Sequence, residues 1–285
     1  MRLYLSKNRN RAVTLSGRVG MFLTLLSFMS ILVSCASLSH YKGVGRIRRY
    51  TISDSRLPEP FDGKSIAFIS DTHYPSKFTR KRLANVTRAL DDLAPDLLLL
   101  GGDYVTSPAY ADELFAALGS NATRYGKYAV PGNHDTVICD ELEKSMMQHG
   151  IRLLKNEADT LHDGGFEIYV CGIKDYNTTQ LPEWVKEHTD SGFTIILAHS
   201  PDYAQDTRLQ TAALVLSGHT HGGQVTLLGL YAPVNHSHYG RRFLSGLSKT
   251  DSGVPVITSN GLGTSRKKIR FCAPSDIIFI TLKKE

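Results

Sequence analysis

The chain contains five short apolar runs, and each is followed at once by polar side chains. The runs are Ser65–Ser70, Asp96–Gly102, Lys127–Gly132, Phe193–Ala198 and Ala213–Gly218. Runs of this length, rich in Ile, Leu, Val and Ala and bounded by Gly or Ser, are typical of buried strands. The polar groups that follow them are Asp71-Thr-His73, Asp103, Asn133-His134-Asp135, His199 and His219-Thr-His221.

Segments with helical periodicity lie between the early apolar runs. Residues 79–93 place Leu83, Val86, Leu90 and Leu93 on one face, and Pro95 ends the pattern. Weaker helices are predicted over 111–118, 140–149 and 182–188, and a hairpin over 160–172. Late strands are predicted at 225–228, 254–258 and 277–282. This order predicts an α/β fold, a four-layer αββα sandwich of two packed mixed sheets flanked by helices.

The five polar groups are expected to meet at one site. Ligands of open α/β sheets bind beyond the carboxyl ends of the strands, where residues distant in sequence converge. Asp71 and His73, like His219 and His221, are two positions apart and can therefore face one point. Together with Asp103, Asn133 and His199 they supply seven nitrogen or oxygen ligands. That number suits two metal ions about 3.5–4 Å apart.

Charge and cysteine content exclude other classes of site. The formal net charge is +6, but the acid-free leader carries five basic residues, so the rest is close to neutral. We therefore expect no nucleic-acid partner. Basic residues at 46–49 and 266–270 are interpreted as a solvated rim or as an anionic-membrane contact. The four cysteines are scattered, which argues against a thiolate metal site.

The N-terminal region predicts a membrane association. Residues 1–18 form a basic leader, and residues 19–38 are uncharged and long enough to span a bilayer. We interpret 19–38 as a single anchor in the cell membrane. The alternatives are a cleaved signal or a lipoprotein signal ending at Cys35. The charge of the leader favours an exported catalytic domain, and the basic residues that follow the segment, Lys42, Arg46, Arg48 and Arg49, favour the opposite topology. Residues 39–63 are predicted to be a linker and 64–285 the catalytic domain.

Five strings, in order, resemble the signature blocks of the calcineurin-like metallophosphoesterase superfamily. They are SDTHYP, LLGGDYV, VPGNHD, ILAHSP and SGHTHGGQV. The Gly-Gly before Asp103, the GGQ after His221 and the YGRRF at 239–243 look most like the membrane-associated bacterial branch of YkuE-like and YaeI-like phosphoesterases. The similarity runs from about Ser65 to the end of the chain.

The resemblance implies a role for each matching residue. Asp71, His73 and His221 would hold one metal and Asn133, His199 and His219 the other, with Asp103 bridging both. His134 would protonate the leaving oxygen or stabilise phosphoryl charge, and Asp135 would orient His134. The cofactors implied are two divalent metal ions, with Mn, Fe, Zn, Ni and Co all compatible with the ligands. Such ions lower the pKa of a shared water and clamp the phosphate, so that a bridging hydroxide is the attacking group.

The sequence thus predicts a metal-dependent hydrolase of a phosphodiester, pyrophosphate or phosphomonoester. An apolar anchor beside the catalytic domain favours a lipid-linked substrate, and the resemblance suggests one such as UDP-2,3-diacylglucosamine. The alternatives are a nuclease or cyclic-nucleotide phosphodiesterase of the same superfamily, or a non-catalytic metal-binding scaffold. His236, His238, Arg241 and Arg242 follow the last ligand pair and were weighed as substrate contacts against an ordinary polar loop.

Overall fold

A computed structural model describes residues 20, 21, 23, 43–76, 78–174, 181–229, 231–265 and 267–285. The predicted segment 19–38 lies outside these residues except for three positions. Among the residues described, no helix combines the length and the apolar character needed to span a membrane. The following concerns the compact unit of residues 40–285.

The described residues form twelve strands and four α-helices. The strands are β1 (Arg46–Ser53), β2 (Ser65–Ile69), β3 (Leu97–Leu100), β4 (Lys127–Ala129), β5 (Arg152–Leu153), β6 (Glu157–Asp163), β7 (Phe166–Ile173), β8 (Thr194–Ala198), β9 (Leu214–Ser217), β10 (Gly246–Lys249), β11 (Pro255–Thr258) and β12 (Asp276–Lys283). The helices are α1 (Arg80–Leu93), α2 (Ala111–Gly119), α3 (Cys139–Gln148) and α4 (Glu183–Ser191).

Two six-stranded mixed sheets carry these elements, in the orders β1-β12-β2-β3-β4-β5 and β10-β11-β9-β8-β7-β6. The central strands β2 to β5 are parallel, as are β7, β8, β9 and β11. Their carboxyl ends therefore lie along one edge of each sheet. The predicted α/β sandwich is confirmed, and each of the five apolar runs contains a strand whose bounds lie within three residues of those expected.

Three apolar clusters fill the spaces between the four layers. The first packs one face of β2 to β4 against α1, α2 and α3, with Leu90, Phe115 and Met146 among its members. The second lies between the sheets and joins Phe68 and Leu99 to residues of β7, β8 and β9. The third covers the outer face of the second sheet and includes Val185 of α4. Successive side chains of a buried strand thus pack in different clusters, because they point to opposite faces of the sheet.

Local chemistry sets the limits of α1. The Thr79 hydroxyl accepts a hydrogen bond from the Arg82 amide, which satisfies one of the free amides of the first turn. At the other end Ala94 adopts a left-handed conformation, and Pro95 follows it. Because proline cannot continue a helix, the chain turns here into β3.

Two sequence predictions about secondary structure were wrong. The predicted linker 39–63 contains β1, whose eight residues all pair in parallel with β12. The strand predicted at 225–228 is a loop in which Val225 and Leu227 make only isolated bridges, to Phe271 and Tyr231. The first segment lacks a clear apolar alternation because it is an edge strand with a single buried side chain, Ile52. The second is apolar although it forms no strand, and its Val225 lines a surface pocket.

Candidate metal centre

The carboxyl ends of five strands deliver the predicted ligands to one cleft. Strands β2, β3 and β4 of one sheet lead into Asp71, Asp103 and Asn133, and β8 and β9 of the other lead into His199 and His219. The cleft has a volume of about 650 Å³ and is lined in part by His73, Asp103, Asn133, His134, His219 and His221.

Five of the seven predicted ligands have a left-handed backbone. The φ angles are +53° at Asp71, +44° at His73, +57° at Asp103, +67° at His219 and +51° at His221. This region disfavours residues other than glycine, at a cost of about 1–3 kcal/mol for each residue, and such outliers cluster at functional sites. The backbone reverses in this way after β2, β3 and β9.

Glycines leave space for these turns. A Cβ atom on Gly102, whose φ is +92°, would lie 2.7 Å from His199 Nδ1 and 2.6 Å from the Gly132 amide nitrogen. One on Gly218 would lie 2.4 Å from Asp71 Oδ2. Both approaches are far closer than nonbonded atoms allow, so the ligand loops pack together only because these positions have no side chain.

The side chains form two adjoining groups. Ligand atoms of Asp71, His73 and His221 lie within 4.8 Å of one another, and so do those of Asp71, Asp103 and His199. His199 Nε2 is 3.1 Å from Asn133 Oδ1 and 3.1 Å from His219 Nδ1. All seven predicted ligands are therefore brought together.

Asp103 lies between His73, which is predicted to hold one metal, and His199, which is predicted to hold the other. Its Oδ2 atom is 3.6 Å from His73 Nε2 and 3.5 Å from His199 Nε2. Its Oδ1 atom accepts a hydrogen bond from the His134 amide at 2.9 Å. One carboxylate oxygen thus faces a nitrogen ligand of each group, which is the position that a bridging residue requires.

The donor set fits divalent cations. His199 Nδ1 donates to the Gly101 carbonyl at 2.7 Å, so its Nε2 carries a lone pair. That lone pair faces the oxygen acceptors of Asp103 and Asn133, an arrangement that a cation between them would stabilise. A histidine ligand with its second nitrogen on a backbone carbonyl is usual in metal sites.

The burial of the histidine side chains also favours the binding of divalent cations. It lowers the pKa of His219 to about 4 and, together with the charge of Arg270, lowers the pKa of His221 well below its usual value. Both imidazoles are therefore neutral near pH 7, which is the form that binds metal. Burial raises the pKa of the Asp71 carboxyl, so a nearby cation would favour its ionised form.

The Asp135 carboxylate hydrogen-bonds to backbone amides of the ligand loops and not to the His134 ring. Its carboxylate accepts hydrogen bonds from the amides of Asp103 at 2.7 Å, Tyr104 at 3.0 Å and Gly132 at 2.8 Å. The prediction that this side chain orients His134 is thus replaced by a different role. Asp135 joins the loop after β3 to the loop after β4, and His134 is positioned by its own amide on Asp103. Burial, and then the charge of Asp103, raise the pKa of Asp135 to about 7.

The loop after β11 was missed as part of the site. The amides of Leu262 and Gly263 donate to the carbonyls of Ser70 and Asp71 at 2.9 and 2.7 Å. A Cβ atom on Gly261 would lie 2.6 Å from that of Asp71. Because β11 is parallel to β9, the strand-end argument already pointed to this loop. It was overlooked because its residues include no histidine or carboxylate side chain.

Arg270 hydrogen-bonds to the backbone of the loops that surround the metal centre. Its guanidinium donates to the backbone carbonyls of five residues, at distances from 2.6 to 3.0 Å. They are His221, Asn260, Gly261, Gly263 and Ala273. Burial lowers the pKa of Arg270 to about 10, which leaves it charged at neutral pH. The sequence analysis had placed it in a basic surface cluster, and this was wrong.

We expect Arg270→Ala to lower both metal affinity and kcat/KM by roughly 10- to 100-fold, the range found for residues that support metal ligands. The carbonyls around it would lose their donor, and the loop carrying His221 would lose its fixed position. Arg270→Lys should recover little, because an ammonium group has only three donors on a flexible stem. Metal content after dialysis and kcat/KM measure the effect. Lys268→Ala, an exposed neighbour of the same charge, is the matched control; equal losses in both variants would contradict this role.

Of the four residues weighed as substrate contacts, only His236 lines the cleft. Its ring packs edge-on against His219, with centroids 5.7 Å apart. His238 contacts Asp202 at 3.2 Å, Arg242 contacts Asp251 at 2.6 Å, and Arg241 is exposed.

Comparison with known proteins agrees with this geometry. The family model described as calcineurin-like phosphoesterase matches residues 64–223, which include all seven predicted ligands and both predicted catalytic residues. The chain belongs to the calcineurin-like phosphoesterase family. The family depends on two divalent metal ions and hydrolyses phosphoric esters.

Several curated members of the calcineurin-like phosphoesterase family are similar over most of their length. An uncharacterized metallophosphoesterase of Bacillus subtilis, YkuE, is 32% identical over 250 residues, covering 82% of this chain and 84% of that protein. An uncharacterized metallophosphoesterase of Aquifex aeolicus is 28% identical, covering 84% of this chain and 92% of that protein. The phosphodiesterase YaeI of Escherichia coli is 30% identical, covering 70% and 75%.

Proposed function

We propose that this calcineurin-like phosphoesterase hydrolyses a phosphodiester or pyrophosphate bond at a centre of two divalent cations. The observation that carries the proposal is the position of Asp103, whose Oδ2 atom lies within 3.6 Å of a histidine nitrogen of each ligand group. Two cations bound here would polarise the phosphoryl group and lower the pKa of water. The similarity to YaeI, a phosphodiesterase, supports a diester over a monoester.

His134 is the group that we assign to proton transfer. Its ring lies edge-on to that of His73, with centroids 5.3 Å apart, and it lines the cleft. The ring is exposed, so it can contact a substrate while Asp71, Asp103 and His199 behind it stay buried. A protonated imidazole at this position would donate to the departing oxygen. Asp103 fixes the backbone of His134, which keeps the ring beside the site where the phosphate would bind.

The substrate that we propose is lipid-linked. The predicted membrane segment 19–38 would hold the catalytic domain near amphiphilic molecules. A second observation, an apolar pocket that adjoins the cleft, supports the same class of substrate and is described in the next section. Residues 64–285 would form the catalytic domain, extended by β1 at the edge of the first sheet.

Hydrolysis by the purified full-length chain in non-ionic detergent tests the function. We expect turnover of bis-p-nitrophenyl phosphate after addition of Mn, Zn, Ni, Co or Fe(II), and loss of turnover after chelation with restoration on adding back the metal. p-Nitrophenyl phosphate, nucleotides and lipid-linked pyrophosphates complete the panel. A chain that binds two metals but cleaves none of these compounds would contradict the proposal and favour a metal-binding scaffold.

A further inference from the structure

An apolar pocket adjoins the metal centre. It has a volume of about 300 Å³ and shares His221, His236 and Ser265 with the cleft. The aliphatic residues Val225, Pro233, Val234 and Ile269 also line it. The two spaces are therefore continuous through the side chains of a proposed metal ligand and its neighbours. A group attached to a phosphate in the cleft can reach this pocket directly.

Two polar side chains that line the pocket, those of Thr220 and Gln224, are already hydrogen-bonded to other parts of the chain. The Thr220 hydroxyl donates to the Leu244 carbonyl at 2.7 Å. The Gln224 side chain accepts from the Ser265 amide at 2.8 Å and donates to the Lys267 carbonyl at 2.9 Å. Few polar atoms remain for a ligand. The pocket is therefore suited to hydrocarbon, which requires burial and not hydrogen bonding.

The loops around the pocket are tied to one another. Besides the two hydrogen bonds of Gln224, the Thr226 amide donates to the Phe271 carbonyl and the Phe271 amide to the Gln224 carbonyl, both at 2.9 Å. Arg270 fixes the same segment to the metal centre. The pocket is thus built into the site and is not a gap between independent loops.

Its aliphatic side chains are unusually exposed. Val225, Val234 and Ile269 retain 41%, 56% and 58% of their accessible surface. Three such side chains around one opening beside a reaction centre indicate a ligand surface, because apolar groups on a protein surface are normally scattered.

We propose that this pocket binds an aliphatic group carried by the phosphoester substrate. The inference rests on the proposed function and specifies its substrate class: a phosphodiester or pyrophosphate with a hydrocarbon chain of at least about four carbons on the side of His221 and His236. The continuity of pocket and cleft selects this occupant over a partner protein or a second copy of the chain.

A series of alkyl p-nitrophenyl phosphates tests the pocket. The methyl, butyl and hexyl diesters share one leaving group, so differences in kcat/KM report the alkyl group alone. With the full-length chain in one non-ionic detergent, we expect kcat/KM to rise roughly twofold to fourfold per methylene. From methyl to hexyl this amounts to at least about 30-fold. Calorimetric titration of the metal-loaded protein with methyl- and hexylphosphonate should show the same trend in Kd without turnover.

The variant Val234→Ser/Ile269→Ser should abolish the dependence on chain length and leave the methyl ester unchanged. Phe166→Ser is the matched control, because Phe166 is 52% exposed but begins β7, at the end of the second sheet opposite the metal centre. A flat series in the wild-type protein, or equal loss for methyl and hexyl esters in the double variant, would overturn the inference and leave the hydrolase function intact. If no ester is hydrolysed, the proposed function fails, and the phosphonate titrations alone decide whether the pocket binds hydrocarbon.

Discussion

Asp103→Asn is expected to reduce kcat/KM by at least about 100-fold and to lower bound metal from two ions to one or none per chain. Replacing residues behind metal ligands already costs up to about 100-fold, and Asp103 faces both ligand groups directly. Asparagine preserves the shape and could still accept the His134 amide on its oxygen. It removes the negative charge and points a donor or a neutral oxygen at nitrogens that are 3.5 and 3.6 Å away.

Elemental analysis after dialysis and titration of activity with Mn or Zn measure this effect. Asp251→Asn is the control, because Asp251 is an exposed carboxylate that pairs with Arg242. Its replacement removes the same charge as Asp103→Asn. We expect the control to keep both metals and full activity. If Asp103→Asn retains two tightly bound ions and normal turnover, Asp103 does not bridge the metals, and the proposed centre must be revised.

The sequence predicted the site better than its surroundings, for a physical reason. Ligand side chains are chemically distinctive, and an apolar strand immediately before each one fixes its position at the sheet edge. Asp71, Asp103 and His199 could therefore be placed together from their sequence positions alone. The buried strands and α1 were also predictable, because their periodicity and the Thr79 and Pro95 signals are local.

The features that the sequence did not reveal depend on hydrogen bonds with backbone atoms. Arg270 resembles a surface cation in the string RKKIR, and only the fold shows that its guanidinium is surrounded by carbonyl groups. Asp135 looked like a partner for the adjacent histidine but binds amides that include one 32 positions away. β1 was missed because its pairing with β12 uses main-chain atoms, which the side-chain pattern does not report.

The loop 225–234 shows how an apolar pattern can mislead. Val225 and Leu227 suggest a strand, yet they are 41% and 59% exposed and belong to no sheet. Val225 lines an apolar pocket at the surface and not a core. A local pattern cannot distinguish these cases, because both remove hydrocarbon from water, one on folding and the other on ligand binding.

His134→Ala is expected to lower kcat by roughly 10²- to 10⁴-fold, the usual contribution of general acid–base catalysis, while both metals remain bound. The ring is exposed in the cleft and is not among the seven predicted ligands. The backbone hydrogen bond to Asp103 survives the substitution, so the ligand geometry should be preserved. Metal content and kcat measured on the same preparations separate a catalytic role from a structural one.

The two roles considered for His134 differ in their dependence on the leaving group. A proton donor matters most when the departing oxygen is a strong base, so His134→Ala should lose far more activity on an alkyl diester than on a p-nitrophenyl diester. A residue that only stabilises phosphoryl charge would lose similar activity on both. His238→Ala is the control, because this exposed imidazole contacts Asp202 and not the cleft. We expect a strong dependence on the leaving group; an unchanged kcat would instead assign catalysis to the metal centre alone.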